Sequence, residues 1–180
     1  CTARPTTTAA YTPTSYTETI MLTKANVDAQ DYLTATDNWA TGKSYGASLG
    51  VSSGDYLNMS KAERTMSITV SGVESFKVAV YDTNGSRDWT ITVGSESSTQ
   101  TTDKSGLQWT DAVETGTTGE VTITLAGAGS SVYPIAIMVS KPETSAPEFT
   151  TDLPASATVN LNVAKEFQVE ATGNTKYQWY

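Results

Sequence analysis

The side chains that do most acid–base and nucleophilic work are missing or badly placed in this sequence. It has no histidine, so the usual general base, any Ser-His-Asp or Cys-His relay and any imidazole metal ligand are excluded. Its one cysteine, Cys1, precedes a Pro- and Thr-rich stretch, a poor setting for a thiol nucleophile. Carboxylates remain, and a glycosidase needs only two of them. Asp82, Asp88, Asp103, Asp111, Glu114 and Glu120 are candidates, but most fall in turns or at outward strand positions, where a carboxylate is simply solvated. Gly42, Gly46, Gly50 and Gly54 are spaced for turns rather than for cradling phosphate. The chemistry points away from catalysis and toward binding.

Binding a sugar asks for flat rings to stack on the apolar faces of pyranoses, and a few polar groups to fix the hydroxyls. Trp39 and Tyr45 lie in a polar, glycine-punctuated stretch with no apolar periodicity, where a large aromatic is informative; the alternative for Trp39 is a plug at the end of the fold. Tyr56 and Tyr81 alternate with apolar neighbours and are expected to face outward. Asp82, Asn84 and Arg87 cluster near Tyr81 and could hydrogen-bond a hydroxyl or a uronate, or simply build a turn. Trp89 and Trp109 follow the inward parity of their strands and are expected in the core. Asp31, Asp37 and Asp55 are possible donors to a structural calcium ion, although their spacing is not that of a known calcium loop. No other cofactor is indicated.

The elements that must position these residues read as strands. Residues 19–22, 55–59, 65–70, 75–81, 88–93, 107–113, 120–125 and 132–140 alternate or run apolar between clusters of Gly, Ser, Thr and Asn. In 65–70, Met66, Ile68 and Val70 share a face; in 132–140, Tyr133, Ile135, Ile137 and Val139 share a parity. Asn84-Gly85 predicts a two-residue type I′ hairpin joining 75–81 to 88–93. Only 26–32 and 60–64 are compatible with a short helix. Seven or eight short strands at this spacing predict an all-β fold, an antiparallel β-sandwich of jelly-roll type.

Residues 1–14 are Pro-, Thr- and Ala-rich and read as a tether, 15–141 as the sandwich, 142–147 as a linker and 148–180 as part of a second unit. The chain carries 32 Thr and 19 Ser, and its net charge is −8, from 11 basic and 19 acidic residues. Such a surface repels phosphate backbones, and no basic stripe offsets it, so nucleic acid is an unsuitable partner. No apolar run is long enough for a transmembrane span. One cysteine allows no internal disulfide; Cys1 ahead of a tether suggests a lipid-attachment residue, and the composition suggests a secreted or cell-surface protein.

The stretches FKVAVYDTNGSRDWTITVGS (76–95) and GTTGEVTITLAGAGSSVYPIAIMVSK (116–141) resemble the small β-sandwich accessory modules of secreted bacterial carbohydrate-active enzymes, pectate-lyase-like proteins among them. Beyond 147, Phe149, residues 158–163, Phe167-Val169-Ala171 and the closing Tyr177-Gln178-Trp179-Tyr180 resemble the first strands of a bacterial immunoglobulin-like domain, left incomplete. The resemblance implies a non-catalytic module that binds polysaccharide or oligosaccharide beside catalytic or other domains of a parent chain. The competing expectation is a structural or adhesive spacer with no small ligand.

Overall fold

The computed structural model describes residues 9–142 and two short segments, 149–151 and 170–171. The chain divides into two compact units, Cys1–Pro142 and Glu143–Tyr180. In the second, strands β13 (Phe149–Thr151) and β14 (Glu170–Ala171) pair antiparallel; the other immunoglobulin-like strands expected there, over 158–163 and 177–180, lie outside the described residues.

Among its described residues the first unit holds twelve strands, β1 (Thr17–Met21), β2 (Leu33–Ala35), β3 (Trp39–Lys43), β4 (Gly54–Leu57), β5 (Thr65–Val70), β6 (Ser75–Asp82), β7 (Asp88–Val93), β8 (Glu96–Thr101), β9 (Gly106–Trp109), β10 (Val113–Glu114), β11 (Val121–Gly127) and β12 (Val132–Ser140). One helix, α1 (Lys24–Ala29), begins where the Thr23 side chain accepts from the Asn26 amide. The helix-compatible stretch at 60–64 is a turn instead, closed by Arg64 N–H donating to the Lys61 carbonyl at 3.0 Å. One five-stranded sheet runs β1-β12-β6, with β9 and β10 both paired to β6; the other runs β2-β5-β11-β7-β8. Every pairing within them is antiparallel, which makes the unit the sandwich expected from the sequence.

Alternation decides what lies between the sheets. Met66, Ile68 and Val70 of β5 face Phe76, Val78 and Val80 of β6 across a core that also takes Leu22, Leu33, Trp89, Ile91, Ile123, Leu125, Ile137 and Val139. Each such side chain contributes roughly 1.5–3 kcal/mol by leaving water. The opposite face of the second sheet is almost wholly hydroxylic. Thr34, Ser67, Thr124, Thr92 and Ser97 stand in one cross-strand row over all five strands. Ser67 and Thr124 hydrogen-bond at 2.8 Å, Thr69 and Thr122 at 3.2 Å, and Thr92 bonds Ser97. This face accounts for much of the threonine content.

Three features depart from the sequence reading. First, β6 and β7 are not a hairpin: they belong to different sheets, and Asn84-Gly85 lies in an arch between them. Gly85 (φ 87°) and Ser86 (φ 57°) take the left-handed conformations, one residue later than a type I′ turn on Asn84-Gly85 requires. Second, a bulge between Pro134 and Ala136 splits the single parity expected of β12. Tyr133 and Ile135 face one way, Ile137 and Val139 the other. Third, the polar stretch between β2 and β5 contains the β3–β4 hairpin and a 3-10 turn, Ala47–Leu49. With Tyr45, Leu49, Val51 and Tyr56 it builds a second core against Ala79, Tyr81, Tyr133, Ile135 and Ala136, on the face of the first sheet turned away from the main core.

The stretch read as a tether is docked at its C-terminal end. Tyr11 bridges Val70 in parallel, its N–H donating to the Thr69 carbonyl at 2.8 Å and its carbonyl accepting from Ser71 at 2.9 Å.

Candidate functional site

The second core gathers most of the aromatic residues that the sequence offers for ligand stacking. Tyr45 stacks on Tyr81 with ring centroids 4.1 Å apart and planes 12° apart, and meets Tyr133 at 4.9 Å and Tyr56 at 6.1 Å. Tyr56 points away from the main core, as its alternation with Leu57 requires, but it points into this second layer and is 0% exposed. The expectation that it faces solvent is therefore corrected. Its hydroxyl, pressed against the backbone of Gly46, makes no standard hydrogen bond, and burial raises its pKa. Burial likewise raises that of Tyr133, and the neighbouring Tyr45 adds to the effect. Tyr81 is half-buried beneath Tyr45 rather than bare. Trp39 packs against the main core, with the Lys24 ammonium 5.8 Å from its ring centroid. These rings are spent largely on one another and on the core.

The polar trio near Tyr81 is spent on its own turn, with Asp82 buried, Arg87 half-buried and Asn84 exposed. Asp82 continues the inward parity of Phe76, Val78 and Val80 and is fully buried. Burial alone would raise its pKa, yet the carboxyl is held below its usual range, because the Asn84 amide (2.8 Å), the Thr102 hydroxyl (2.6 Å), the Gly85 amide and the Arg87 guanidinium (Nε at 3.3 Å) all favour the anion. Arg87 is thereby paired to Asp82, and Asn84, with its amide turned so that both ends are satisfied, accepts from Arg87 Nη2. The trio is a turn lock.

What the structure offers instead lies at the lateral edge of the sandwich. In β9, Leu107 stands opposite Tyr81 and Trp109 opposite Ala79, so the apolar parity of this strand faces the second core and not the first. Trp109, expected inside, is 37% exposed; among the described residues only Tyr16, at 55%, is another exposed large hydrophobic side chain. The inward positions fall to Gln108 and Thr110, whose hydroxyl accepts from the Val78 amide at 3.0 Å. Between β8 and β9 the sheets part over a cleft of about 240 Å³ lined by Trp89, Gln100, Thr102, Asp103, Trp109 and Asp111, among others. Gln108 clamps its rim, its Oε1 accepting from the Asp103 amide at 2.8 Å and its Nε2 donating to the Lys104 carbonyl at 2.6 Å.

No protein-family model matches the chain, and no curated protein matches it. Solved structures do. A family two carbohydrate esterase from Cellvibrio japonicus is similar with a TM-score of 0.51 at 11% identity, over 69% of this chain and 33% of that one. The shared element is the β-sandwich. The catalytic unit of a GH87 α-1,3-glucanase from Streptomyces thermodiastaticus strain HF3-3 gives 0.49 at 11% identity, over 82% of this chain and 28% of that one. The CBM36-1 domain of a multidomain xylanase from the hindgut metagenome of Trinervitermes trinervoides gives 0.44 at 13%, over 71% of this chain and 98% of that one. The chain spans about a third of the esterase and less of the glucanase, and at 11% identity the likeness to the esterase is one of fold.

The remaining expectations concern ions and membranes. Among the described residues no three of His, Cys, Asp and Glu come together in one group, and Asp31, Asp37 and Asp55 are not gathered into such a cluster. Lys24 supplies positive charge near two of these acids: it bonds Asp28 at 2.6 Å, and that bond chiefly raises its pKa, with Asp37 and Asp55 adding to it. Among the described residues no helix is long and apolar enough to cross a membrane. Of the cleft residues, Asp103 and Asp111 were weighed only as catalytic carboxylates and set aside as solvated, and Gln100 was missed for want of any motif; the available signal was the polar parity of Gln108 and Thr110 in a strand assumed to bury Trp109.

Proposed function

We propose that the sandwich unit is a non-catalytic carbohydrate-binding module whose contact surface is the cleft between β8 and β9, with Trp109 as its stacking platform. The observation that carries this reading is the exposed indole at the rim of a polar cleft, an aromatic face beside amide, hydroxyl and carboxylate groups. The lining residues include Asp103 and Asp111 and no lysine or arginine, and Arg87 is tied to Asp82. The cleft therefore suits a neutral glycan better than the uronate for which Arg87 was a candidate. In this reading the module works beside other domains of a parent chain, secreted or held at a surface through Cys1, and residues 148–180 open an immunoglobulin-like domain. The pectate-lyase-like proteins are the relatives that the sequence resemblance suggests.

One observation favours the spacer reading: Trp39, Tyr45, Tyr56 and Tyr81 are all engaged in packing. Affinity electrophoresis through gels containing xylan, glucan, mannan or pectin separates the two. The expected result is retardation by a neutral polymer that is lost in Trp109→Ala and kept in Trp39→Ala. Free migration in every gel, with circular dichroism showing the chain folded, leaves the spacer.

A further inference from the structure

The arch between β6 and β7 carries the pair Asn84-Gly85, with Asn84 exposed. Such a pair can modify itself. The backbone nitrogen of the glycine attacks the asparagine Cγ, ammonia leaves, and water opens the resulting succinimide to aspartate or isoaspartate. Glycine favours the attack because no Cβ shields its nitrogen and its backbone turns freely. The reaction needs that N–H free to lose its proton, and a rotation that brings the nitrogen onto Cγ.

The turn lock opposes both requirements. The buried Asp82 carboxylate accepts from the Asn84 amide at 2.8 Å, and the Gly85 amide, the nucleophile itself, lies near enough to help hold that carboxyl below its usual range. In the orientation that satisfies both ends of its amide, Asn84 donates from Nδ2 to the Thr83 carbonyl at 3.0 Å and accepts from Arg87 Nη2 at Oδ1, so Cγ is held as well. Gly85, at φ 87°, rests on the backbone of Lys104, and a Cβ there would lie 3.0 Å from the Lys104 carbonyl carbon. Behind it, Ser86 N–H donates to the Thr102 carbonyl (2.8 Å), Arg87 N–H to the Thr102 hydroxyl (2.8 Å) and Thr102 N–H to the Arg87 carbonyl (3.0 Å).

We propose that Asn84 is a latent deamidation site, kept nearly inert by Asp82 and Arg87 for as long as the arch is folded. Conversion sets a second carboxylate beside Asp82 to compete for Arg87. It thereby loosens the arch from Thr102, a residue that lines the cleft between β8 and β9.

The test is to incubate the folded chain and the same chain unfolded in urea at one mildly alkaline pH, and to follow the mass gain and isoaspartate content of the peptide containing residue 84. Conversion at Asn84 should be slower in the folded chain by on the order of tenfold or more, because it then waits on local opening. Arg87→Gln, checked for folding by circular dichroism, should raise the folded-state rate several-fold. Equal rates in the folded and unfolded chains overturn the proposal, as does an unchanged rate in a folded Arg87→Gln protein. The first comparison needs no variant, so it decides the matter even if the substitution fails to fold.

Discussion

At the residue scale, Asp82 shows how a buried charge becomes an asset to the fold. A carboxylate held by the Asn84 amide, the Thr102 hydroxyl and the Arg87 guanidinium is stable where a lone one would not be, and removing one donor leaves the buried charge in place with less to support it. Thr102→Val should therefore lower stability by about 1–3 kcal/mol in urea unfolding; an unchanged midpoint would show that the other donors suffice. Because the Asp82 pKa is depressed on folding, its contribution is complete above the ordinary aspartate range near pH 4 and is lost as pH falls through the folded value. Gly127, opposite Trp89, has no room for a side chain: a Cβ there would collide with the carbonyl of Met59. Gly127→Ala should cost about 2–3 kcal/mol by overpacking, read as a drop in thermal midpoint. Asp82 shares the parity of Val78 and Val80, a signal for burial that the reading of it as a turn-tip hydrogen-bonder passed over. That of Tyr56 was not: alternation gives the direction of a side chain, and cannot say that a second layer waits there.

At the element scale, the strands that face one core on a regular period were readable, and β5, β7 and β12 have the expected bounds. The elements that escaped notice are those without a private apolar face. β8 is a polar edge strand, β2 is three residues long, and β3 acquires meaning only against the second core. The N-terminal segment belongs with them. Its docking rests on Glu18, whose carboxylate collects the Tyr11 hydroxyl, the Thr14 amide and hydroxyl (each 2.7 Å), and the Ser15 amide and hydroxyl. These donors, the Tyr11 hydroxyl first, hold Glu18 well below the usual carboxylate range. The sign follows: the docking is fully supported above the ordinary glutamate pKa and fails only as pH drops through the lower folded value, later than for an ordinary surface acid. Glu18→Gln should reproduce that failure at neutral pH. The Tyr11 and Ser71 amides should then exchange with solvent while those of β5 and β11 stay protected; equal protection at Tyr11 and Ser71 would sink the idea.

At the scale of the whole molecule, a net charge of −8 with 11 basic side chains makes the compact state repel itself. The thermal midpoint should accordingly rise by a few degrees, about 2–5 °C, between low and physiological salt, and differential scanning calorimetry would show it. Charge and composition spoke only to which partners are unsuited to such a surface, while the cleft came from how one short strand is registered on β6. That registry leaves another trace. Thr17 of β1 is paired with Ser140 of β12, so the chain enters and leaves the sandwich at the same end, on neighbouring antiparallel strands. A pull applied through Ala9 and Pro142 would draw these strands apart one rung at a time, as a zipper opens, rather than shearing all rungs together. The Tyr11 bridge to the other sheet lies ahead of β1 and takes that load first. Under tension the unit yields from its N-terminal clasp inward, at low force, with the main core the last part to feel the pull.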